Sequence, residues 1–319
     1  MILNTGCRTD IPAYYSEWFY NRVREGFVLA RNPYRPEQVL RYRLNPDVVD
    51  VLCFCTKNPQ PMLSRLSELN AFRQFWFVTV TPYGQDIEPF VPDKRQVLAF
   101  IRQLSASVGA KAVGWRYDPV FITERYSLEF HIRSFEKMAR ELSGTVTACV
   151  VSFIDLYEKT RRNFPQARAV TTREQEALIQ AFVEIGARYG IPIRTCCEDA
   201  SLARFGADTS GCMTRSVLEA ATGCRLNVPK SKKIAPGAVR LSARRGRRHV
   251  QHLPARLRVL LRQFRPASGR AEPEAARSRV SAADRPSSRG RPDSRSTSRI
   301  LRIRPDFNVL KHGGNDEPK

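Results

Sequence analysis

The chain has no apolar run long enough to cross a membrane, and its opening MILNTGCRTDIP lacks the charged and apolar regions of a secretory signal. The expectation is a cytoplasmic protein with no membrane partner. No G-x-G-x-x-G follows a strand-like segment, which argues against an open dinucleotide-binding sheet. Histidine is scarce, with 4 in 319 residues, and His131 falls inside a helical segment, where it reads as a surface or capping residue and not as a ligand. Cysteine is present at 8 positions, but Cys53 and Cys55 in one apolar run and the adjacent Cys196 and Cys197 do not form the pattern of an extracellular disulfide framework. Cys149 lies within another apolar run and is expected in the core.

Acidic charge is scarcest in the last quarter. From residue 234 to the end, 21 Lys and Arg stand against 7 Asp and Glu, so +14 of the formal net charge of +22 sits there. Hydrophobic periodicity also stops near Lys230, where an α/β pattern gives way to GAVRLSARRGRRHVQHLPARLRVLLRQFRP and then to Arg, Ser, Pro and Ala. The chain therefore divides into a barrel-like domain of catalytic type over 1–229 and a low-complexity basic tail over 230–319. The first part carries enough apolar residues for a core of ordinary size.

Strand-like runs fall at 1–4, 27–30, 48–55, 75–80, 112–117, 147–153 and 191–195. Most are continuous and not alternating, as expected of strands buried on both faces. Between them lie helical stripes: Val97, Phe100, Ile101 and Leu104 before Gly109, then Leu128, Ile132, Phe135, Ala139 and Leu142 before Gly144. A third stripe, Leu178, Phe182, Ile185 and Tyr189, opens at Thr171 with Glu174 three residues on and closes at Gly190. Alternating strands and helices imply right-handed crossovers and a parallel sheet. The fold class is α/β, a parallel, partly closed, TIM-like β/α barrel followed by a disordered Arg-rich tail.

Polar residues gather just after the strand ends, where α/β sheets and barrels hold their sites. The groups are Arg8-Thr9-Asp10, Thr56-Lys57-Asn58, Thr79 and Thr81 with Glu88 beyond, Arg116 with Asp118, Ser152 to Asp155, and Cys197-Glu198. Each alone has a structural reading: Arg116 and Asp118 as an ion pair, Lys57-Asn58-Pro59 as a turn before a helix. Recurrence at successive ends points to a pocket. Asp10, Lys57, Arg116, Asp118, Asp155 and Glu198 are its catalytic candidates, the carboxylates serving as acceptors or acid/base groups. Arg8, Asn58, Thr79, Thr81 and Glu88 are candidates for binding a small molecule, with Arg8, Lys57 and Arg116 placed to anchor an anionic or carboxylate group.

The series RTDIPAYYSEWFYNRVREGFVLARNP, VDVLCFCTKNPQPML, VTVTPYGQDIEP, VGWRYDPVF, VVSFIDLYEK and TCCED, with Gly211-Cys212 after it, is similar to the bacterial family called domain of unknown function 1848. Two departures are Cys7, where the family usually has Arg, and Cys55, where it usually has Trp. Members of that family resemble radical S-adenosylmethionine enzymes and carry a C-x3-C-x2-C segment near the C-terminus. The resemblance implies that three such thiolates hold a [4Fe–4S] cluster, whose remaining iron binds S-adenosylmethionine. Cys197 and Cys212 fall where family members also have cysteine, which makes them metal candidates.

That cysteine segment is missing here. Leu253, Leu257 and Leu260 stand at the C-x3-C-x2-C spacing, and reading 249–264 one nucleotide further on permits cysteine at each, because CTG followed by C contains TGC. A slip would fall within Lys230-Ser231-Lys232-Lys233, whose codons can form a run of adenines. The tail then reads as out-of-frame translation, and the chain as an inactive family protein with no cofactor of its own. One alternative keeps the tail as a disordered arm whose Arg244, Arg245, Arg247 and Arg248 bind nucleic acid without sequence preference. Another is a metal-independent binder of an anionic ligand at the strand ends.

Overall fold

The computed structural model describes residues 1–6, 9–32 and 35–226. In chain order its regular elements are β1 (Ile2–Asn4), α1 (Ile11–Tyr14), α2 (Ser16–Glu25), β2 (Phe27–Asn32), β3 (Arg35–Arg43), β4 (Val51–Thr56), α3 (Gln60–Leu63) and β5 (Gln74–Thr79). There follow α4 (Lys94–Val108), β6 (Val113–Val120), α5 (Leu128–Leu142), β7 (Cys149–Phe153), α6 (Glu158–Asn163), α7 (Thr172–Tyr189), β8 (Ile193–Thr195) and α8 (Arg215–Thr222). Six strands form one parallel sheet in the order β1-β4-β5-β6-β7-β8.

That order is also the chain order, and right-handed crossovers between successive neighbours place every crossover helix on the same face. Leu52, Phe54, Trp76, Val78, Trp115, Tyr117, Cys149, Val151 and Ile193 point to that face and share one buried cluster with α4, α5 and α7. Phe54 stacks on Trp76 at 4.0 Å, and Trp115, Phe135 and Phe182 continue the stack from strand to helix to helix, at 4.7 and 4.1 Å. The amphipathic stripes read from the sequence are what these helices bury. Thr171 and Glu174 form the expected capping box of α7, and Gly190 ends it in the left-handed conformation.

Residues of opposite parity, Ile2, Val51, Cys53, Cys55, Phe75, Phe77 and Val150, would be left bare by such a topology. They pack instead beneath Met213, Val217, Leu218 and Leu226, so the segment through α8 covers the second face. Gly114 belongs to this layer: a Cβ there would meet the Phe77 ring at 2.7 Å, so the residue is small because the aromatic neighbour needs its space.

Three expectations change. Residues 27–30 are strand, but β2 leaves the main sheet and pairs antiparallel with β3 as a separate hairpin. β3 escaped notice because RPEQVLRYR has no apolar run; a hairpin held by backbone pairing does not need one. The ladders do not close a barrel either: among the described residues β1 pairs along its length only with β4, and β8 with β7. The outer side of β8 is met by Asp208, whose backbone exchanges hydrogen bonds with Ile193 and Thr195 at 2.9 and 3.0 Å. His131 is fully buried, its Nδ1 2.8 Å from the Tyr117 hydroxyl and its Nε2 2.9 Å from the Phe121 carbonyl oxygen. Burial pushes its imidazole down to about 4. Position 131 lies four residues before Phe135, on the apolar stripe itself, which is the signal that placed it inside. Cys149 is in the core, as its surroundings in the sequence required. The tail expected over 230–319 lies outside the described residues.

Candidate functional site

The carboxyl ends of the parallel strands carry two separate clusters, not one pocket. The first sits on β1, β4 and β5. Gly6 crosses so close to Cys55 that a Cβ on it would meet Cys55 Cβ at 2.4 Å, and this contact sets the path of the loop after β1 over the sheet. Asp10 then caps α1 through the Ala13 amide at 3.2 Å, while its Oδ2 accepts the Lys57 amide at 3.0 Å. Thr56 and Asn58 shape the turn after β4: the Asn58 amide donates to Thr56 Oγ1 at 3.0 Å, and the Gln60 amide to Asn58 Oδ1 at 3.2 Å.

Lys57 reaches Glu88, which is almost completely buried, and Lys94 at the start of α4 reaches the other oxygen of the same carboxylate. The Thr81 hydroxyl donates to Glu88 Oε2 at 2.9 Å. Burial alone would raise the Glu88 carboxyl, but Lys57 and Lys94 outweigh it and hold the group below the usual carboxylate range. An open cleft lies above, lined by Asp10, Tyr14, Lys57, Asn58, Phe90 and Val91. Tyr14 and Phe90 expose large apolar surfaces at its rim.

The second cluster sits on β6, β7 and β8. Arg116 lies on the second, inner face of the sheet, the one covered through α8, opposite Thr79 in register; it lies against the Phe77 ring at 5.3 Å and is buried. Its Nε donates to Asp118 Oδ2 at 3.2 Å, and Nη2 reaches the same oxygen. Its Nη1 faces Cys212 Sγ at 3.8 Å. Burial works against the guanidinium charge; Asp118 and the sulfurs of Cys212, Cys196 and Cys55 overcome that penalty and keep Arg116 protonated.

Cys196 and Cys212 bring their sulfurs to 3.2 Å. Next to them Glu198 Oε1 accepts the Ser152 hydroxyl and the Phe153 amide, both at 2.9 Å. Burial pushes the Glu198 carboxyl up to about 7, against those two hydrogen bonds and with help from Asp118 and Asp155. Asp155 itself is exposed and accepts the Tyr157 hydroxyl at 2.8 Å.

The sequence-derived candidates thus separate. Asp10, Lys57, Asn58, Thr81 and Glu88 belong to the first cluster; Arg116, Asp118, Glu198, Cys212 and the half-buried Thr79 belong to the second. Cys197 is exposed at its edge and Asp155 lies outside its hydrogen-bonded centre. Arg8 lies outside the described residues. Lys94, Ser152 and Cys196 were not among the candidates. Nothing in the sequence pairs Lys94 with Glu88 across a loop, whereas Ser152 stood in a strand-end group and Cys196 beside Cys197.

Among the described residues no group of three or more His, Cys, Asp or Glu could hold a metal ion. The thiols nearest one another are faced by the Arg116 guanidinium, whose charge opposes a second cation there. These donors do not fit an iron–sulfur cluster.

Comparison with known proteins gives one match. The model of the family described as Domain of unknown function (DUF1848) matches residues 2–245, running past Lys230–Lys233. No curated protein matches, and no solved structure does.

Proposed function

Because the chain belongs to the DUF1848 family, whose description leaves the activity open, we propose a function from the rim itself: the second cluster binds a small anionic substrate and moves a proton through Glu198. The observation behind this is the placement of that carboxyl after β8, half-buried, with Asp118, the ion-pair partner of Arg116, among its charged neighbours. A group near 7 holds comparable amounts of acid and base at neutral pH, so it can donate or accept without a large penalty. Both hydrogen bonds to this carboxyl fall on Oε1, and among the described residues Oε2 receives none, which leaves it for a substrate.

Arg116 supplies the anchor. Thiols are weak acceptors, so Nη1 gains a stronger partner when a carboxylate or phosphate oxygen replaces the sulfur contact. Asp118 fixes the guanidinium plane from its other side. The inner face below is apolar and covered, so the substrate meets the site from the rim.

Thermal stabilisation by a panel of small mono- and dicarboxylates and inorganic phosphate, without added metal, tests the anchor. At least one should stabilise the wild type, and Arg116→Met should lose the effect. Carbon-13 NMR of Glu198, assigned through Glu198→Gln, should give a midpoint near 7; titration in the ordinary carboxylate range would remove the acid/base role.

For residues 230–319 we propose out-of-frame translation, with a nucleic-acid arm as the alternative. Out-of-frame translation is tested by the nucleotide sequence through Lys230–Lys233: a continuous, slip-free coding path in independent isolates ends it. A nucleic-acid arm is tested by salt titration against duplex DNA, with and without 234–319. We propose that radical S-adenosylmethionine chemistry would require the cysteine segment that the sequence of this chain lacks. We place the protein in the cytoplasm; no described helix is long and apolar enough to cross a membrane.

A further inference from the structure

We propose that Cys197, Cys196 and Cys212 form a thiol relay that reacts with low-molecular-weight disulfides and stores the oxidation as a Cys196–Cys212 disulfide. The inference is independent of the ligand reading above. Cys196 follows β8 and Cys212 precedes α8, yet their sulfurs stand 3.2 Å apart, about 1 Å from bonding distance. Both pack against the covered inner face. Cys197, in contrast, is exposed, and its φ of 63° is one that non-glycine residues seldom hold. The pair of adjacent residues therefore runs from solvent to the half-buried layer packed against the sheet.

The acidities run along the same path. A hydrogen bond with Cys196 holds the Cys197 thiol below its usual range, and that same contact, with burial, pushes Cys196 up to about 12. Cys196 and burial together raise Cys212 as well. Exposure makes Cys197 the accessible nucleophile, while the half-buried Cys196–Cys212 pair, with its sulfurs already 3.2 Å apart, is where a disulfide comes to rest. Arg116 lies against Cys212 Sγ and stabilises negative charge on it during exchange.

In the first step the Cys197 thiolate attacks one sulfur of R–S–S–R; that bond breaks and the departing R–S⁻ takes a proton from solvent. Cys196 attacks the Cys197 sulfur and expels the second R–S⁻, which takes the Cys196 proton. Cys212 then attacks the Cys196 sulfur, the Cys196–Cys197 bond breaks, and the Cys212 proton passes to Cys197. Two protein thiols and one R–S–S–R become one protein disulfide and two R–SH.

Incubation of the full chain with oxidised glutathione, acid quenching, alkylation and peptide mass spectrometry tests the relay. The wild type should yield linked Cys196 and Cys212 peptides while the buried Cys53 and Cys149 remain reduced. Cys197→Ser should slow the same product at least tenfold, and Cys212→Ser should stop at glutathione on Cys197 or at a Cys196–Cys197 link. A folded wild type that forms no Cys196–Cys212 link, or a Cys197→Ser variant that oxidises at the wild-type rate, overturns the proposal. Should Cys212→Ser fail to fold, iodoacetamide kinetics on the wild type decide: Cys197 must be alkylated before Cys196, Cys212 and Cys224, and any other order overturns it.

Discussion

The Lys57 cluster and the Arg116 cluster occupy neighbouring parts of one rim and manage buried charge in opposite ways. Around Lys57, two ammonium groups and a hydroxyl converge on Glu88, and the Asp10 carboxylate is taken up by backbone amides. Around Arg116, the guanidinium shares its donors between one carboxylate and a thiol, and a second carboxyl, near Asp118, is raised to about 7 and so only partly ionised at neutral pH. The first arrangement is satisfied and holds strand ends and loops in register. The second leaves acidity, charge and thiol chemistry available. Identical residue types, Lys or Arg with Asp or Glu after a strand, thus serve structure in one place and reactivity in the other.

The largest effect should come from breaking the satisfied side. Glu88→Gln leaves Lys57 buried without its counter-ion and should cost about 3–5 kcal/mol in denaturant unfolding. Its pH signature follows from a depressed carboxyl: the Glu88 contribution is present above the ordinary carboxylate range and is lost as pH falls through the lowered folded value.

Glu198→Gln should act in the other direction. The Glu198 carboxyl rises from 4.5 to about 7, so the folded state holds its proton longer and the wild type loses stability as pH climbs between those values. A glutamine that keeps the Ser152 and Phe153 bonds should be about 3 kcal/mol more stable than wild type at pH 8 and equal to it at pH 4. Equal stabilities at both pH values would show that the two clusters do not differ as described.

Lys94→Met should have the smallest effect, about 1 kcal/mol, because Lys94 is the more exposed of the two lysines and Lys57 still neutralises Glu88. A loss as large as that of Glu88→Gln would make the cluster a three-way unit in place of a buried pair with an outer partner.

Much of the sheet was legible because continuous apolar runs can serve only a strand covered on both faces. The helical stripes and the Thr171 capping box were legible for the same local reason. The β3 strand was not, since its pairing is made by backbone and leaves no apolar trace. His131 was on the stripe that buried it, but its polarity drew the opposite reading. The strand-end residues were found as a set, and what escaped was their division: register places Thr79 opposite Arg116, while a loop carries Glu88 back to Lys57.

The sequence by itself determined the alternation of strands and helices, the helix ends and the concentration of polar residues at the carboxyl ends, because backbone periodicity and capping depend on near neighbours. Only the tertiary structure decided which charges are satisfied and which are not. Whether a carboxyl meets a buried lysine 31 residues away, as Glu88 does, or is buried with a hydroxyl 46 residues away, as Glu198 is, depends on distant parts of the chain, and its acidity follows from that company.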